Sequence, residues 1–153
     1  QDLDLFAAVR PARSIPGVRT RHRDVDLVII RENTEDLYRG IEFERGTPDA
    51  TALRTKLREL GGFEIPEDAG ITLKPISVSG ARRIVRFAFE YVRANRRRKV
   101  TVGHKANVMK YSDGIFLETA RTDAATRYGS TPMSMRRVTA LAASFVCSVE
   151  STR

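Results

Sequence analysis

The alternation of apolar and polar positions predicts strands and helices that follow one another along the chain. Residues 25–30 are a near-continuous apolar run rich in β-branched side chains, which is typical of a strand buried on both faces. A shorter apolar stretch at residues 3–9 predicts an earlier strand that ends at Arg10 and Pro11. Residues 100–102 predict a further strand.

The helical periodicity is clearest at residues 79–95, where apolar side chains recur on one stripe and Ser79 can cap the first turn. Residues 107–128 are predicted to be mostly helical. Residues 130–135 are predicted as a loop, and residues 136–149 could form a last helix. This order is not that of a complete doubly wound nucleotide-binding domain, and no glycine-rich phosphate motif follows the first strand.

Between these elements, residues 40–76 have a pattern of their own. Residues 40–44 and 71–76 alternate apolar and polar positions, as half-exposed strands do. Residues 48–60 predict an amphipathic helix, with a proline near its start and two glycines after its end. The segment is therefore predicted to be a β-α-β insert.

Composition limits the class of protein. The chain has 153 residues, of which 41% are hydrophobic and 30% are charged, so it can bury one core. No apolar run approaches the roughly 18 residues of a membrane span, and no membrane partner is expected. The single cysteine, Cys147, excludes an internal disulfide and indicates a reducing, cytoplasmic location. The chain starts at Gln1 without an initiator methionine or a signal-peptide pattern, so its front end is interpreted as cut.

The formal net charge of +8 raises the alternative of nucleic-acid binding. The densest basic run, at residues 96–99, falls where a helix is predicted to end, and cations stabilise helix C-termini. No aromatic side chains interleave this run, as a stacking surface for single strands requires. We therefore predict no nucleic-acid partner.

Two polar blocks carry the candidate chemistry. Residues 31–38 (Arg-Glu-Asn-Thr-Glu-Asp-Leu-Tyr) follow the buried strand at 25–30, and residues 104–110 (His-Lys-Ala-Asn-Val-Met-Lys) follow the strand at 100–102. Open α/β sheets place their ligand sites at the carboxyl ends of strands. Arginine holds carboxylates through a bidentate fork, and a tyrosine with a lysine can supply an acid and a base. The blocks together predict a site for a small polycarboxylate on which a proton is moved.

These blocks belong to several longer stretches of the chain, which follow one another in the order found in a known family. The stretches resemble the isocitrate/isopropylmalate dehydrogenase family of metal-dependent β-decarboxylating dehydrogenases. The resemblance runs through nearly all of residues 1–121. Residues 105–114 look like the isocitrate branch, and the insert looks like the clasp that joins two subunits into a homodimer. The stretches that carry the resemblance are residues 3–6, 9–13, 26–38, 40–42, 86–91 and 104–116.

The resemblance implies an α/β, isopropylmalate-dehydrogenase-like fold that is partial. Residues 1–39 would be the first part of a small α/β domain. Residues 40–77 would be the clasp-like dimerisation insert. Residues 78–153 would be the second part of the small domain, degenerate after about residue 121, where the resemblance fades.

The same resemblance implies roles for individual residues of this chain. Arg10 and Arg31 would bind the carboxylates of isocitrate, and Tyr38 would protonate the enol left after carbon dioxide departs. Lys105 would assist proton removal from the substrate hydroxyl, acting across the dimer in the partner's site. Asn107 would lie near the nicotinamide ribose or diphosphate, although an asparagine there could instead cap the following helix.

The cofactors that the family implies are NADP, or NAD, and Mg²⁺ or Mn²⁺. No metal ligand is assigned in this chain, because Glu32, Glu35 and Asp36 have the spacing of a helix N-terminus. Thr139 stands where the family has a metal-binding aspartate, and threonine is a poor replacement for an anionic oxygen ligand. The isolated chain is therefore expected to be inactive.

Three interpretations stay open from the sequence. The first is a segment of an isocitrate dehydrogenase, which oxidatively decarboxylates isocitrate to 2-oxoglutarate and reduces NAD(P). The second is a non-catalytic dimerisation or interaction module of the same family. The third, which the residue pattern disfavours, is an arginine-rich nucleic-acid binder. Within the first, a segment of an isopropylmalate- or homoisocitrate-type dehydrogenase is the alternative.

Overall fold

The computed structural model describes residues 5–129, 133–137 and 146–150. Strands and helices alternate through most of this length. In chain order the elements are β1 (Ala7–Arg13), β2 (Asp26–Glu32), a 3-10 turn (Asp36–Arg39), β3 (Ile41–Phe43), α1 (Pro48–Gly61), β4 (Ile71–Leu73), α2 (Val78–Ala94), β5 (Lys99–His104), α3 (Ser112–Arg127), β6 (Met133–Arg137) and β7 (Val146–Glu150).

Five strands form one mixed sheet in the order β1-β2-β7-β5-β6. Strand β7 is antiparallel to both of its neighbours, and β6 is parallel to β5. Because β2 and β5 both oppose β7, they run in the same direction. Arg31 pairs with Val146, and Val146 pairs on its other side with Gly103. The ends of β2 and β5 therefore lie at one edge of the sheet.

The core forms where α2 covers one face of this sheet. Alternate residues of β2 and β5 are buried there, among them Val28, Ile30 and Val102. Helix α3 packs beside α2, and the rings of Phe89 and Tyr128 stack with centroids 4.6 Å apart. Each such side chain contributes about 1.5–3 kcal/mol when fully buried. The residues that α2 contributes to the core are Ala81, Ile84, Val85, Ala88, Phe89 and Val92.

The other face of β2 is only partly covered. Leu27, Ile29 and Arg31 are half-buried, whereas Val28 and Ile30 are fully buried. The prediction of a strand buried on both faces was therefore wrong for the face that α2 does not cover. An apolar run alone does not tell one covered face from two.

Strand β1 starts later and ends later than predicted. It continues through Arg10 and Pro11 to Arg13, with Pro11 opposite Val28. Proline is tolerated here because β1 is the edge strand of the described sheet, where one side of the backbone needs no partner.

Helix α2 is capped by Ser77 and not by Ser79. The Ser77 hydroxyl accepts a hydrogen bond from the Gly80 N–H at 2.9 Å, and the helix begins at Val78. Two serines in one short stretch gave the sequence two possible caps, and the contacts of Ser77 decide between them.

The predictions for the last part of the chain were wrong. Residues 133–135 belong to a strand where a loop was predicted, and β7 occupies residues predicted to be helical. The open hydrogen-bonding edges of β2 and β5 need a strand between them, and this need overrides helical periodicity. Thr139 lies outside the described residues.

The insert forms a small unit beside the sheet. Strands β3 and β4 pair only with each other in the described sheets, with Ile41 opposite Leu73 and Phe43 opposite Ile71. Helix α1 connects them, with Thr47 as its cap and Gly62 in a left-handed conformation after its end. The predicted β-α-β order is correct, with shorter strands than predicted.

Among the described residues, no helix is both long and apolar enough to cross a membrane.

Candidate functional site

The two polar blocks meet at one edge of the five-stranded sheet, at the ends of β2 and β5. Arg31 is the penultimate residue of β2, and Tyr38 lies in the 3-10 turn that follows. The guanidinium carbon of Arg31 is 3.7 Å from the centre of the Tyr38 ring. A cation over an aromatic face at this distance is attractive. The contact holds the predicted carboxylate-binding residue and the predicted acid in one unit.

Arg31 has donor capacity left for a ligand. Its Nε is buried and has no hydrogen-bond partner among the described residues. A buried donor without a partner costs about 1–3 kcal/mol, and more when the group is charged. Tyr38 is 49% exposed, so the ring reaches solvent beside the guanidinium. An anion arriving from solvent could therefore satisfy this donor.

Arg10 lies on the same face of the sheet as Arg31. Ala8 of β1 is opposite Arg31, and Arg10 is two residues further along β1. Directly opposed residues share a face, and diagonal neighbours are about 7–8 Å apart at the backbone. Arg10 is exposed. Two cations therefore share the face that α2 leaves open.

The acidic residues of the first block, residues 31–38, hold the turn that carries Tyr38 through hydrogen bonds. Glu32 accepts from the backbone N–H groups of Thr34 and Glu35 at 2.8 and 2.6 Å, and Arg83 lies 3.3 Å away. Glu35 accepts from the backbone N–H and the hydroxyl of Ser77 at 2.8 and 2.5 Å. Both carboxylates are thus used to hold the turn that carries Tyr38.

The helix α2 approaches this turn very closely. A methyl group placed on Gly80 would lie 2.6 Å from the carboxylate of Glu35. A side chain there would require the Glu35 carboxylate to shift away from Ser77, to which it is hydrogen-bonded at the start of α2, where an anion is also stabilised by the helix dipole. The spacing of Glu32, Glu35 and Asp36 suited a helix N-terminus; in the structure Glu35 precedes the 3-10 turn, and its carboxylate contacts the start of α2.

Lys74 connects the two blocks, although the sequence gave it no role in the site. Its Nζ is 2.7 Å from Asp113 Oδ2 and 3.4 Å from Asp36 Oδ1. Both carboxylates are buried, and the lysine side chain is 15% exposed. The only sequence signal for Lys74 was its position just after a strand with alternating polarity. Such a position does not reveal that the side chain is buried. Tertiary contacts alone bring these three residues together.

Lys105 lies in the turn after β5. Its backbone N–H donates to Asp113 Oδ1 at 2.8 Å, and the residue is half-buried. His104 is buried, and its Nδ1 accepts from the Ala106 N–H at 3.2 Å, so the ring stabilises this turn. Asn107 is exposed and precedes α3 by several residues. The alternative that Asn107 caps α3 was wrong, because Tyr111 occupies the cap position.

The described residues do not fit a metal site. No group of three His, Cys, Asp or Glu side chains in residues 5–129, 133–137 and 146–150 could hold an ion. Asp36 and Asp113 both contact Lys74, and Glu32 is paired with Arg83. Asn107 is exposed, and one exposed amide does not define a nucleotide site.

Comparison with known proteins finds a family and individual relatives to which this chain is similar. The profile of the family described as "Isocitrate/isopropylmalate dehydrogenase" matches residues 1–148. The chain is 47% identical over 122 residues to "Isocitrate dehydrogenase [NADP]" of Staphylococcus epidermidis, covering 76% of this chain and 29% of that protein. The protein of the same name from Archaeoglobus fulgidus is 47% identical over 119 residues, with the same coverage.

A solved structure supports the same relationship. The isocitrate dehydrogenase of Methylococcus capsulatus is similar with a TM-score of 0.68 and 38% sequence identity, over 87% of this chain and 34% of that chain. This chain thus spans about a third or less of the relatives that it matches. By profile, sequence identity and fold, the chain belongs to the isocitrate/isopropylmalate dehydrogenase family.

Proposed function

We propose that this chain supplies the substrate-binding edge of an NADP-dependent isocitrate dehydrogenase, which oxidatively decarboxylates isocitrate to 2-oxoglutarate. The observation that carries the proposal is the half-buried Arg31 guanidinium, which lies over the Tyr38 ring and has a buried Nε with no partner among the described residues. Isocitrate offers three carboxylates, which match cations that no described carboxylate satisfies. The names of the relatives supply the substrate and the cofactor.

In the proposed reaction each residue has a separate task. Arg31 and Arg10 bind and orient the carboxylates from the open face of the sheet. Tyr38 gives its hydroxyl proton to the enol carbon after carbon dioxide leaves, and a positioned acid of this kind contributes about 10²–10⁴-fold in rate. Lys105 assists removal of the proton from the substrate hydroxyl. Asn107 would contact NADP, which would supply the hydride acceptor when bound.

Binding of Mg²⁺ or Mn²⁺ by the whole enzyme is part of the proposal, and residues outside this chain would supply its ligands. The described residues lack a fitting cluster of ligands. We therefore expect the 153-residue chain alone to be inactive. The cytoplasmic location indicated by the single cysteine stays a prediction.

We also propose that residues 40–77 join two copies of the chain into a homodimer, and that residues 1–39 and 78–153 form the two parts of the small domain. Helix α1 supports the homodimer, because Ala50 is its only described residue that is fully buried. Leu53 and Leu57 are half-buried, and Leu60 is 70% exposed. An apolar face left open on a small insert favours a two-fold partner.

Turnover can be tested in a graft enzyme. Residues 5–121 of this chain replace the matching segment of the Staphylococcus epidermidis enzyme, and NADPH formation is measured with isocitrate and Mg²⁺. We expect turnover with isocitrate and none with 3-isopropylmalate. The matched variant Arg31→Met should raise KM strongly, whereas Arg39→Met, an exposed position in the same turn, should leave KM unchanged.

The same assay separates the alternatives. Preference for isopropylmalate or homoisocitrate would replace the proposed substrate. A folded, dimeric graft enzyme without turnover on any of the three would favour the non-catalytic interaction module, for which the open face of α1 is the supporting observation.

A further inference from the structure

The side chain of Lys74 lies between two buried carboxylates that belong to different parts of the candidate site. Its Nζ is 2.7 Å from Asp113 Oδ2 and 3.4 Å from Asp36 Oδ1, and it also lies 3.1 Å from the Met109 sulfur. The two carboxylates are 0% and 2% exposed. A cation between two buried carboxylates offsets their desolvation and their mutual repulsion.

On one side this contact fixes the turn of Tyr38. Asp36 opens the 3-10 turn in a left-handed conformation with φ of 60°, which is costly for a residue other than glycine. Its carboxylate faces Lys74, and its backbone N–H donates to the Pro75 carbonyl at 2.9 Å. Two consecutive residues, Lys74 and Pro75, thus hold the residue that sets the direction of the turn.

On the other side the contact fixes the turn of Lys105. The second oxygen of Asp113 accepts the Lys105 N–H at 2.8 Å. The carbonyl of Lys105 accepts from Val108 and Met109 at 2.9 and 3.1 Å. Asp113, in the first turn of α3, therefore sets where the Lys105 backbone lies, and Lys74 holds Asp113.

We propose that Lys74 is a positioning residue that sets Tyr38 and Lys105 relative to each other through Asp36 and Asp113. This inference rests on the proposed function, in which Tyr38 and Lys105 are the acid and the proton-accepting group. Lys74 follows β4, the last strand of the insert. The docking of the insert and the geometry of the two reacting groups are therefore linked through one ammonium group.

Hydrogen exchange of the 153-residue chain tests the link without any need for turnover. In Lys74→Met, which keeps the aliphatic stem, the amides of Asp36 and Lys105 should exchange about tenfold faster or more, because the Asp36 carboxylate and the Asp113 carboxylate, which accepts the Lys105 N–H, both lose the ammonium group that they contact. Amides of Ile30 and Val102 in the core should keep their rates. Lys74→Arg should restore slow exchange, and Lys56→Met, which removes an exposed ion pair with Glu59, should change none of the four.

Asp113→Asn provides a second measurement that does not depend on how Lys74→Met folds. It removes one charge and keeps the shape, and the proposal requires faster exchange at Asp36, because Lys74 contacts both Asp113 and Asp36. Unchanged exchange at Asp36 in Asp113→Asn, or an equal rise at core and site amides in both variants, would overturn the proposal.

The graft enzyme supplies the kinetic readout. Lys74→Met should lower kcat about tenfold or more while KM for isocitrate stays within about twofold, because geometry is lost and the binding cations remain. Lys74→Arg should recover most of kcat. An inactive unmodified graft enzyme would count against the proposed function, whereas normal kcat in a Lys74→Met graft would count against the role of Lys74.

Discussion

The guanidinium carbon of Arg31 lies over the Tyr38 ring, 3.7 Å from the ring centre. The ring and the hydroxyl of the tyrosine therefore have different tasks. The ring covers a half-buried guanidinium whose Nε is buried, and the hydroxyl is left for chemistry. Substitutions that remove one and keep the other should therefore have different effects.

Tyr38→Phe keeps the ring and removes the acid. In the graft enzyme we expect kcat to fall roughly a hundredfold or more, with KM for isocitrate nearly unchanged. Tyr38→Ala also exposes Arg31, so both constants should change. Steady-state kinetics with isocitrate as the varied substrate measures both. A Tyr38→Phe enzyme with normal kcat would remove Tyr38 from its role.

Lys105 and Tyr38 should complement each other across subunits if Lys105 acts in the partner's site. Inactive Tyr38→Phe and Lys105→Met graft enzymes are mixed in equal amounts, unfolded and refolded together. Half of the dimers are then heterodimers with one intact site each, so about a quarter of the wild-type sites should return. Heterodimers that show no activity would place both groups in the site of one chain.

The open face of α1 should drive self-association. Leu60→Glu puts a charge on a side chain that is 70% exposed, and we expect it to shift the chain from dimer to monomer. Thr55→Glu adds the same charge on the opposite side of the helix and should leave the dimer intact. Sedimentation velocity distinguishes the two states. A monomeric unmodified chain would contradict the proposed homodimer.

Gly80 and Gly114 should respond in opposite directions to alanine. A methyl group on Gly80 meets the Glu35 carboxylate at 2.6 Å, so Gly80→Ala should lower the free energy of unfolding by about 1–3 kcal/mol. Around Gly114, in α3, no described atom lies within 4 Å of an added methyl. Gly114→Ala should therefore raise the free energy of unfolding by about 0.5–1 kcal/mol. Urea denaturation checks both values.

The reactivity of Cys147 tests the position of β7, the strand that the sequence did not predict. It lies in β7 between Ile30 and Val102, and burial raises the pKa of its thiol to about 12. The thiol should stay protonated at pH 8 and react with Ellman's reagent roughly a thousandfold more slowly than in denaturant. Fast reaction of the folded chain would place residue 147 at the surface.

The parts of the fold that the sequence predicted are those decided by local pattern. Helix α2 shows its stripe through Ile84, Ala88 and Tyr91, and the apolar run before Arg31 marks β2 wherever the chain goes. Strand β7 could not be found in this way, because its place is set by the open edges of β2 and β5. Its own residues alternate too little to decide between helix and strand.

The residues of the candidate site also fall into those that the sequence could predict and those that it could not. Arg31 and Tyr38 stand out because each follows a strand end with a group suited to carboxylates or protons. Lys74, Asp36 and Asp113 are an exposed-looking lysine and two ordinary acids in the sequence. Their burial results from packing between segments that lie far apart in the chain, and residue spacing carries no information about it.

The position of β7 has a consequence for the order of assembly during synthesis. A ribosome releases Arg31, Tyr38 and Lys105 well before residues 146–150, yet the strand made from those residues joins β2 to β5. Until then the two halves of the sheet edge share no backbone hydrogen bonds through β7, and their strand edges stay open to other chains. The nascent polypeptide therefore passes through a stage in which it needs chaperone protection, and that stage ends only when β7 emerges.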